Sequence, residues 1–323
     1  MKKNNIDSLL TMNFGRVCMA NFLLYASIYL IIPLLPQLVH EQLQLPLVDA
    51  SLTCVAFALG MLAVGPFNAY LGDTYKRKLV LIYGVLLFMA AVLGLRFAIV
   101  FWHFLGLALL QGIGFGLAEA AGITLGIDIT PSSRRSGSNK IFASAARWGM
   151  LVGVVSGLRF WPDYDFFSLA YMALAGGAAV LFYSSRIDVK FRAPIGLPVF
   201  NIDRFLLLRG WFPALNVWLL ATVVGMLIAT AAEWGILMVG VVLLMLAILV
   251  IPLTTLFVKL SHHCQRGTAN STCQLAVEVG ILTGLYAAHQ VERVGDAIIF
   301  LAIIGILCFT LLTLPYYHQM RVR

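Results

Sequence analysis

Runs of about 20 apolar residues, each closed by a short polar or basic loop, recur along the whole chain. A run of that length matches the hydrocarbon thickness of a bilayer when helical. Inside lipid only a helix or a closed barrel can satisfy its own backbone hydrogen bonds. The runs predict ten helical spans, roughly 14–36, 48–71, 79–95, 98–127, 141–161, 166–184, 211–230, 235–258, 272–290 and 296–316. Composition agrees, with 61% of the 323 residues hydrophobic and 11% charged, against about 25% charged in soluble domains. Too little polar surface remains to cover a soluble fold. A disordered chain, a secreted disulfide scaffold and a nucleic-acid module are therefore excluded. The five cysteines are odd in number and sit mostly in apolar runs, which argues against a disulfide framework. The basic N-terminus precedes an apolar run without a small-residue cleavage site, so that run is expected to stay as the first span.

The net charge of +8 reads as topology, because cytoplasmic loops collect lysine and arginine. With the N-terminus inside, eighteen basic residues fall on the inner side and three, Arg96, Arg159 and Arg293, on the outer side, with Arg147 inside a span. The expected fold is an all-α polytopic membrane protein with both termini cytoplasmic, in an inner (plasma) membrane. The polar, proline-containing stretch 185–210 reads as a cytoplasmic connector. It divides an N-terminal six-helix bundle (1–184) from a C-terminal four-helix partial bundle (211–323).

A shift of 131 residues aligns SRRSGSNKIFASAARWGMLVG with CQRGTANSTCQLAVEVGILTG. Arg135 falls on Arg266, Asn139 on Asn270, Gly149 on Gly280 and Gly153 on Gly284. Each copy is a polar inner loop entering a helix with a G-x-x-x-G. Repeated bundles with a site at their interface are typical of secondary transporters.

Three loop motifs then resemble the major facilitator superfamily. GPFNAYLGDTYKRKLVL resembles the signature loop between family helices 2 and 3, with Asp73, Arg77 and Lys78 matching. DITPSSRRSGSN is similar to the helix 4–5 loop of drug and sugar efflux members, through Asp128, Pro131, Arg134 and Arg135. RGTANST, which begins at Arg266, resembles their helix 10–11 loop. The resemblance implies a transporter and not an enzyme, without cofactor or metal. It makes Asp73, Arg77, Lys78, Asp128, Arg134, Arg135 and Arg266 a conformational latch, Asp73 closing helix 2 on helix 11. It also implies twelve helices, and the equivalents of family helices 8 and 9 are missing. Where the family's antiporter pattern continues Gly-Pro, this chain has Gly153-Val154.

Intramembrane charges are rare and default to function. Glu119 lies nine residues before Asp128, roughly 13 Å into the bilayer, and Arg147 lies at a similar depth on the antiparallel fifth span. They can form a structural ion pair or serve transport. Glu278 stands where the repeat places Arg147's counterpart, so an acid and a base occupy matched depths. Burial disfavours a carboxylate's charged form, which suits proton coupling; a Glu lining a hydrated vestibule is the alternative. Asn21, Tyr25 and Tyr29 form a mildly polar stripe on the first span, read mainly as aromatic packing, with Asn21 a candidate for the substrate path. QGIGFG at 111–116 lies inside a span and reads as helix packing. His262, His263, Cys264 and Cys273 fit no zinc spacing.

The expected function is proton-coupled export of a small organic molecule by alternating access. The alternative is a reduced, non-transporting member acting as a membrane scaffold or partner subunit. Expected partners are the substrate, H+ and the bilayer, with no nucleic acid. Gly149, Gly153 and Gly157 form a row suited to close helix approach. With family helix 8 missing, that row is expected to meet a second copy of the chain, giving a homodimer, or a displaced seventh span.

Overall fold

The computed structural model describes residues 11–131, 134–189, 195–261, 265–316 and 318. Those residues form helices and connecting turns, with no strand among them. In chain order the helices are α1 (Met12–Ile31), α2 (Leu35–Leu43), α3 (Leu47–Ala50), α4 (Leu52–Val64), α5 (Asn68–Thr74), α6 (Arg77–Gly94) and α7 (Phe101–Asp128). They continue as α8 (Arg135–Phe160), α9 (Phe166–Ser185), α10 (Trp211–Ala229), α11 (Ala231–Trp234), α12 (Ile236–Leu260), α13 (Arg266–Ala287) and α14 (Val294–Cys308).

Among the described residues, nine helical stretches are long and apolar enough to cross a bilayer. The tenth long helix, α13, has 22 residues but carries Gln274 and Glu278 in its middle. Its polar face is buried by other helices, which is what permits it at membrane depth. The first predicted span is α1 continued by α2, with a 3₁₀ turn at Ile32–Leu34. The second is α3, α4 and α5, broken by the 3₁₀ turn Gly65–Phe67 around Pro66, since proline lacks an N–H and crowds the preceding turn.

Two similar packings organise the molecule. In the first half α1 lies against α8 and α9, and α7 against α4 and α6. In the second half α10 lies against α13 and α14. Glycines allow both central contacts. A Cβ on Gly153 of α8 would lie 3.0 Å from the Leu30 backbone nitrogen of α1, and one on Gly284 of α13 would lie 2.8 Å from that of Met226 on α10. The 131-residue repeat thus encodes the same close helix contact twice.

This corrects the expectation for the glycine row. Gly149, Gly153 and Gly157 face α1, against Phe22, Ala26 and Leu30. Neither a second copy nor a displaced α10 is needed to cover them, because α1 is apolar and already adjacent. The other flank of α8 is covered by α12. A short turn through α11, closed by Gly235 at φ +83°, folds α12 back beside α10 and against α8. Val239, Leu243 and Ala247 are buried on one stripe of α12. Leu237, Met245 and Ile248 on its other faces are exposed, as suits a surface that meets lipid.

The connector docks at one end of the bundle, the end that also holds the 76–78 loop. The Asn201 amide donates to the Pro66 carbonyl over 3.0 Å. The Phe205 ring occupies the space a side chain at position 65 would need.

Candidate functional site

Four helices send polar side chains to one buried point. Helix α7 supplies Glu119, α8 supplies Arg147, α13 supplies Gln274 and Glu278, and α1 supplies Tyr25. All five are buried. Arg147 Nη2 donates to Glu278 Oε1 at 2.9 Å and to Gln274 Oε1 at 2.7 Å. Its guanidinium carbon lies 5.4 Å from the Tyr25 ring centroid, a cation–π contact strengthened by desolvation. The Tyr25 ring is held by stacking on Tyr29, centroids 6.1 Å apart, and by edge contact with Phe115 at 5.2 Å.

The Tyr25 hydroxyl lies 2.8 Å from Glu119 Oε1 and within hydrogen-bond reach of Glu278 Oε1. A phenol carries one proton, and an ionised carboxylate only accepts. Two acceptors on one O–H leave one contact without a proton. A single added proton on either carboxyl completes both hydrogen bonds, and it also balances the charge of two acids against one arginine.

Below this cluster lies a cavity of about 390 Å³. Ala120, the residue after Glu119, and Thr124, a little over one turn further along, line it on α7, and Ser271 lines it on α13, two turns from Glu278. Asn139, Arg204 and Phe205 complete much of its wall. It lies at the connector end of the bundle, where Leu197, Arg204 and Phe205 form part of its wall.

The remaining sequence candidates fall as follows. Asn21 donates to the Phe142 carbonyl at 3.0 Å, so it ties α1 to α8 and does not join the cluster. The expected pairing of Glu119 with Arg147 is replaced by Arg147–Glu278, because α13 brings its acid directly onto the guanidinium. Asp73 accepts backbone N–H groups from Ile195, Gly196 and Leu197 of the connector at 3.0, 2.9 and 3.3 Å. Arg77 pairs with Asp128, joining α6 to α7. Lys78 Nζ donates to the Ser185 and Ile187 carbonyls at 2.7 and 2.9 Å, capping the end of α9 as a cation does well. Arg134 is exposed and precedes α8. The Arg135 side chain and residues His262, His263 and Cys264 lie outside what the structure describes. Arg266 lines the cavity.

Two participants escaped the sequence reading. Tyr25 was visible only as one aromatic among several on its face. Gln274 lies four residues before Glu278, and that spacing on a polar helix entry was the available signal.

Comparison with known proteins fixes the lineage of this helical frame. Residues 17–320 match the family model described as Major Facilitator Superfamily. The chain belongs to the major facilitator superfamily. It is a multi-pass membrane protein of that transporter family. It is 28% identical over 136 residues to quinolone resistance protein NorA of Staphylococcus aureus, covering 41% of this chain and 34% of that protein. It is 25% identical over 158 residues to the uncharacterized MFS-type transporter YtbD of Bacillus subtilis, covering 49% and 37%. These matches span about a third of the relatives' length. Among solved structures, the human organic anion transporter MFSD10 (TETRAN) superposes with a TM-score of 0.66 at 13% identity, over 96% of this chain and 100% of that one. A bacterial homologue of the iron transporter ferroportin, in an outward-facing state with soaked iron, gives 0.64 at 13%, over 97% and 100%. At that identity the likeness is one of fold. Within this major facilitator frame, the buried cluster spans the junction of the two repeated packings, with Glu119 and Arg147 on one side and Gln274 and Glu278 on the other.

Proposed function

We propose that the protein is a secondary transporter that exports a small organic molecule in exchange for protons by alternating access, from a cell's inner membrane. The observation that carries this proposal is the Tyr25 hydroxyl shared by Glu119 and Glu278, opposite Arg147. The two carboxyls come from helices on opposite sides of the junction between the halves. With one proton shared between them the cluster is neutral, and Tyr25, Arg147 and both acids hold the halves together. When that proton leaves, two carboxylates face each other beside one cation, and like charges at that range repel. The proton therefore has different interaction energies in the joined and parted arrangements, which is the condition for it to bias a conformational equilibrium.

The cavity is the candidate organic-substrate chamber, since its volume is in the range of small-molecule sites, about 300–1,000 Å³. The relative named for quinolone resistance supports a drug-like organic substrate. The bias of basic loops supports a cytoplasmic position for this end of the bundle, the side from which an exporter loads. The latch residues act at this end: Arg77–Asp128 and Asp73 with the connector are contacts made in this arrangement and exchanged in another.

The test is transport of norfloxacin, a fluorescent quinolone, in proteoliposomes with an imposed pH gradient. Wild type should move norfloxacin with a rate that depends on the gradient. Glu119→Gln, with the same amount of folded protein, should lose that dependence. A Glu119→Gln variant with an unchanged pH profile overturns the proton role. No norfloxacin movement, and none with a wider panel of organic cations and anions, favours the non-transporting scaffold.

A further inference from the structure

The buried cluster is separated from the cavity by a stretch of α13 whose polar groups are unusual. Asn270, Gln274 and Glu278 stand at i, i+4 and i+8, so they share one face. All three are fully buried. Yet both side-chain atoms of Asn270, Nε2 of Gln274 and Oε2 of Glu278 have no hydrogen-bond partner among the described residues. On the facing helix, Nε of Arg147 is in the same condition. Unsatisfied buried polar atoms are few in native proteins, and a run of them in one line calls for a ligand. The ligand that fits scattered single donors and acceptors is water, which usually makes about three hydrogen bonds when buried.

The repeat puts a matching row on α8. A shift of 131 residues places Asn139 on Asn270, Ala143 on Gln274 and Arg147 on Glu278. Asn139, Ala143 and Arg147 thus stand at i, i+4 and i+8 on α8, as their counterparts do on α13. The ends of the two lines meet through Arg147, Gln274 and Glu278. Midway, where α13 carries an amide, α8 carries only the methyl group of Ala143. At the other end Asn139 and Ser271 line the cavity. From Ser271 to Glu278 is seven residues, roughly 10 Å along the helix.

We propose that α8 and α13 enclose a water-filled proton path running from the cavity, past Asn270 and Gln274, to the Glu119–Glu278 carboxyls. This rests on the proton-exchange function proposed above and names the route by which that proton reaches the cytoplasmic side. Gln274 is a positioning residue: its Oε1 holds Arg147, and its Nε2 holds water. In the release step a carboxyl O–H bond breaks as an O–H bond forms on the adjacent water. Each water passes on a different proton, and one proton emerges in the cavity with no other atom transferred. The groups around the inner end are Glu119 on α7, Arg147 on α8, Tyr25 and Tyr29 on α1, and Cys273 beside Glu278 on α13.

The experiment is infrared spectroscopy of the full-length protein in lipid, following the protonated carboxyl C=O band after rapid transfer into D2O. The band should be present in wild type and lost in the Glu119→Gln, Glu278→Gln double variant. Its deuterium exchange should slow by about an order of magnitude in Gln274→Leu and in Ala143→Leu, one removing the amide and the other adding bulk on the matching row of α8. Ala143→Ser, which keeps the space and adds a hydroxyl that water can meet, should exchange close to the wild-type rate, and thermal melts of both leucine variants check that they are folded. Unchanged exchange in both leucine variants, with the band present, overturns the path and leaves proton exchange standing. A band absent from wild type, or one that survives the double substitution, contradicts the proton-exchange function itself and the path with it.

Discussion

Arg147 holds the cluster electrically, and its removal has a calculable consequence. Replacing it with Met leaves Glu278 buried beside Gln274 without a cation. Breaking one side of a buried ion pair costs about 3–5 kcal/mol, so Arg147→Met should unfold at clearly lower temperature in detergent. The double variant Arg147→Met, Glu278→Gln removes both charges and should recover most of that loss; thermal unfolding of the two side by side checks it. Tyr25→Phe is a subtler change. It keeps the stacking on Tyr29 and the edge contact with Phe115 but removes the one O–H between the two acids, so the protein should fold while the pH profile of transport shifts. An unchanged profile would show that the hydroxyl is a bystander. At this scale the three ionisable members were legible, because Glu119, Arg147 and Glu278 stand out in apolar runs. Their pairing was not. Helical spacing says which face a residue shares but not which other helix meets that face, so Arg147 was matched to its chain neighbour Glu119 instead of to Glu278. Tyr25 was hidden because a packing ring and a ring with a working hydroxyl look alike in sequence.

The helices themselves were largely visible as runs, and what was missed lay in their partners. The row Gly149, Gly153, Gly157 was read correctly as a surface for close approach, but the surface it approaches is α1. A leucine at 153 must then push α1 off α8 and should destabilise the protein by more than the roughly 1–3 kcal/mol usual for overpacking, whatever the protein's oligomeric state. Size-exclusion and thermal melts of Gly153→Leu would show this. A variant that stays as stable as wild type would show that the α1–α8 contact is not as close as described. Helix α12 carries no motif and was visible only as an apolar run, whereas its place against α8 follows the tight turn at Gly235. The connector offers a second element-scale expectation. Asp73 gathers three successive backbone N–H groups, an arrangement that binds a carboxylate through its charge. Asp73→Asn weakens all three, so the segment 195–205 should be cut faster in limited proteolysis of the variant. Equal cutting rates would mean that Asn201–Pro66 and the Phe205 ring hold the connector without Asp73.

For the molecule as a whole, the apolar runs and the bias of basic loops carried the fold class, because a bilayer leaves few alternatives to a helical bundle. The sidedness they imply is open to a simple check. Phe200 is exposed on the connector, and a Phe200→Cys variant should react with a membrane-impermeant maleimide only from the cytoplasmic face. The central claim is that the cluster exchanges a proton each time the two halves change their contact. Simultaneous measurement of proton and norfloxacin flux in proteoliposomes addresses it most directly. Wild type should move protons opposite to norfloxacin in a fixed ratio. In the Glu119→Gln, Glu278→Gln double variant the proton flux should vanish while norfloxacin still runs down its own gradient. A double variant that carries both with the wild-type ratio would contradict the account.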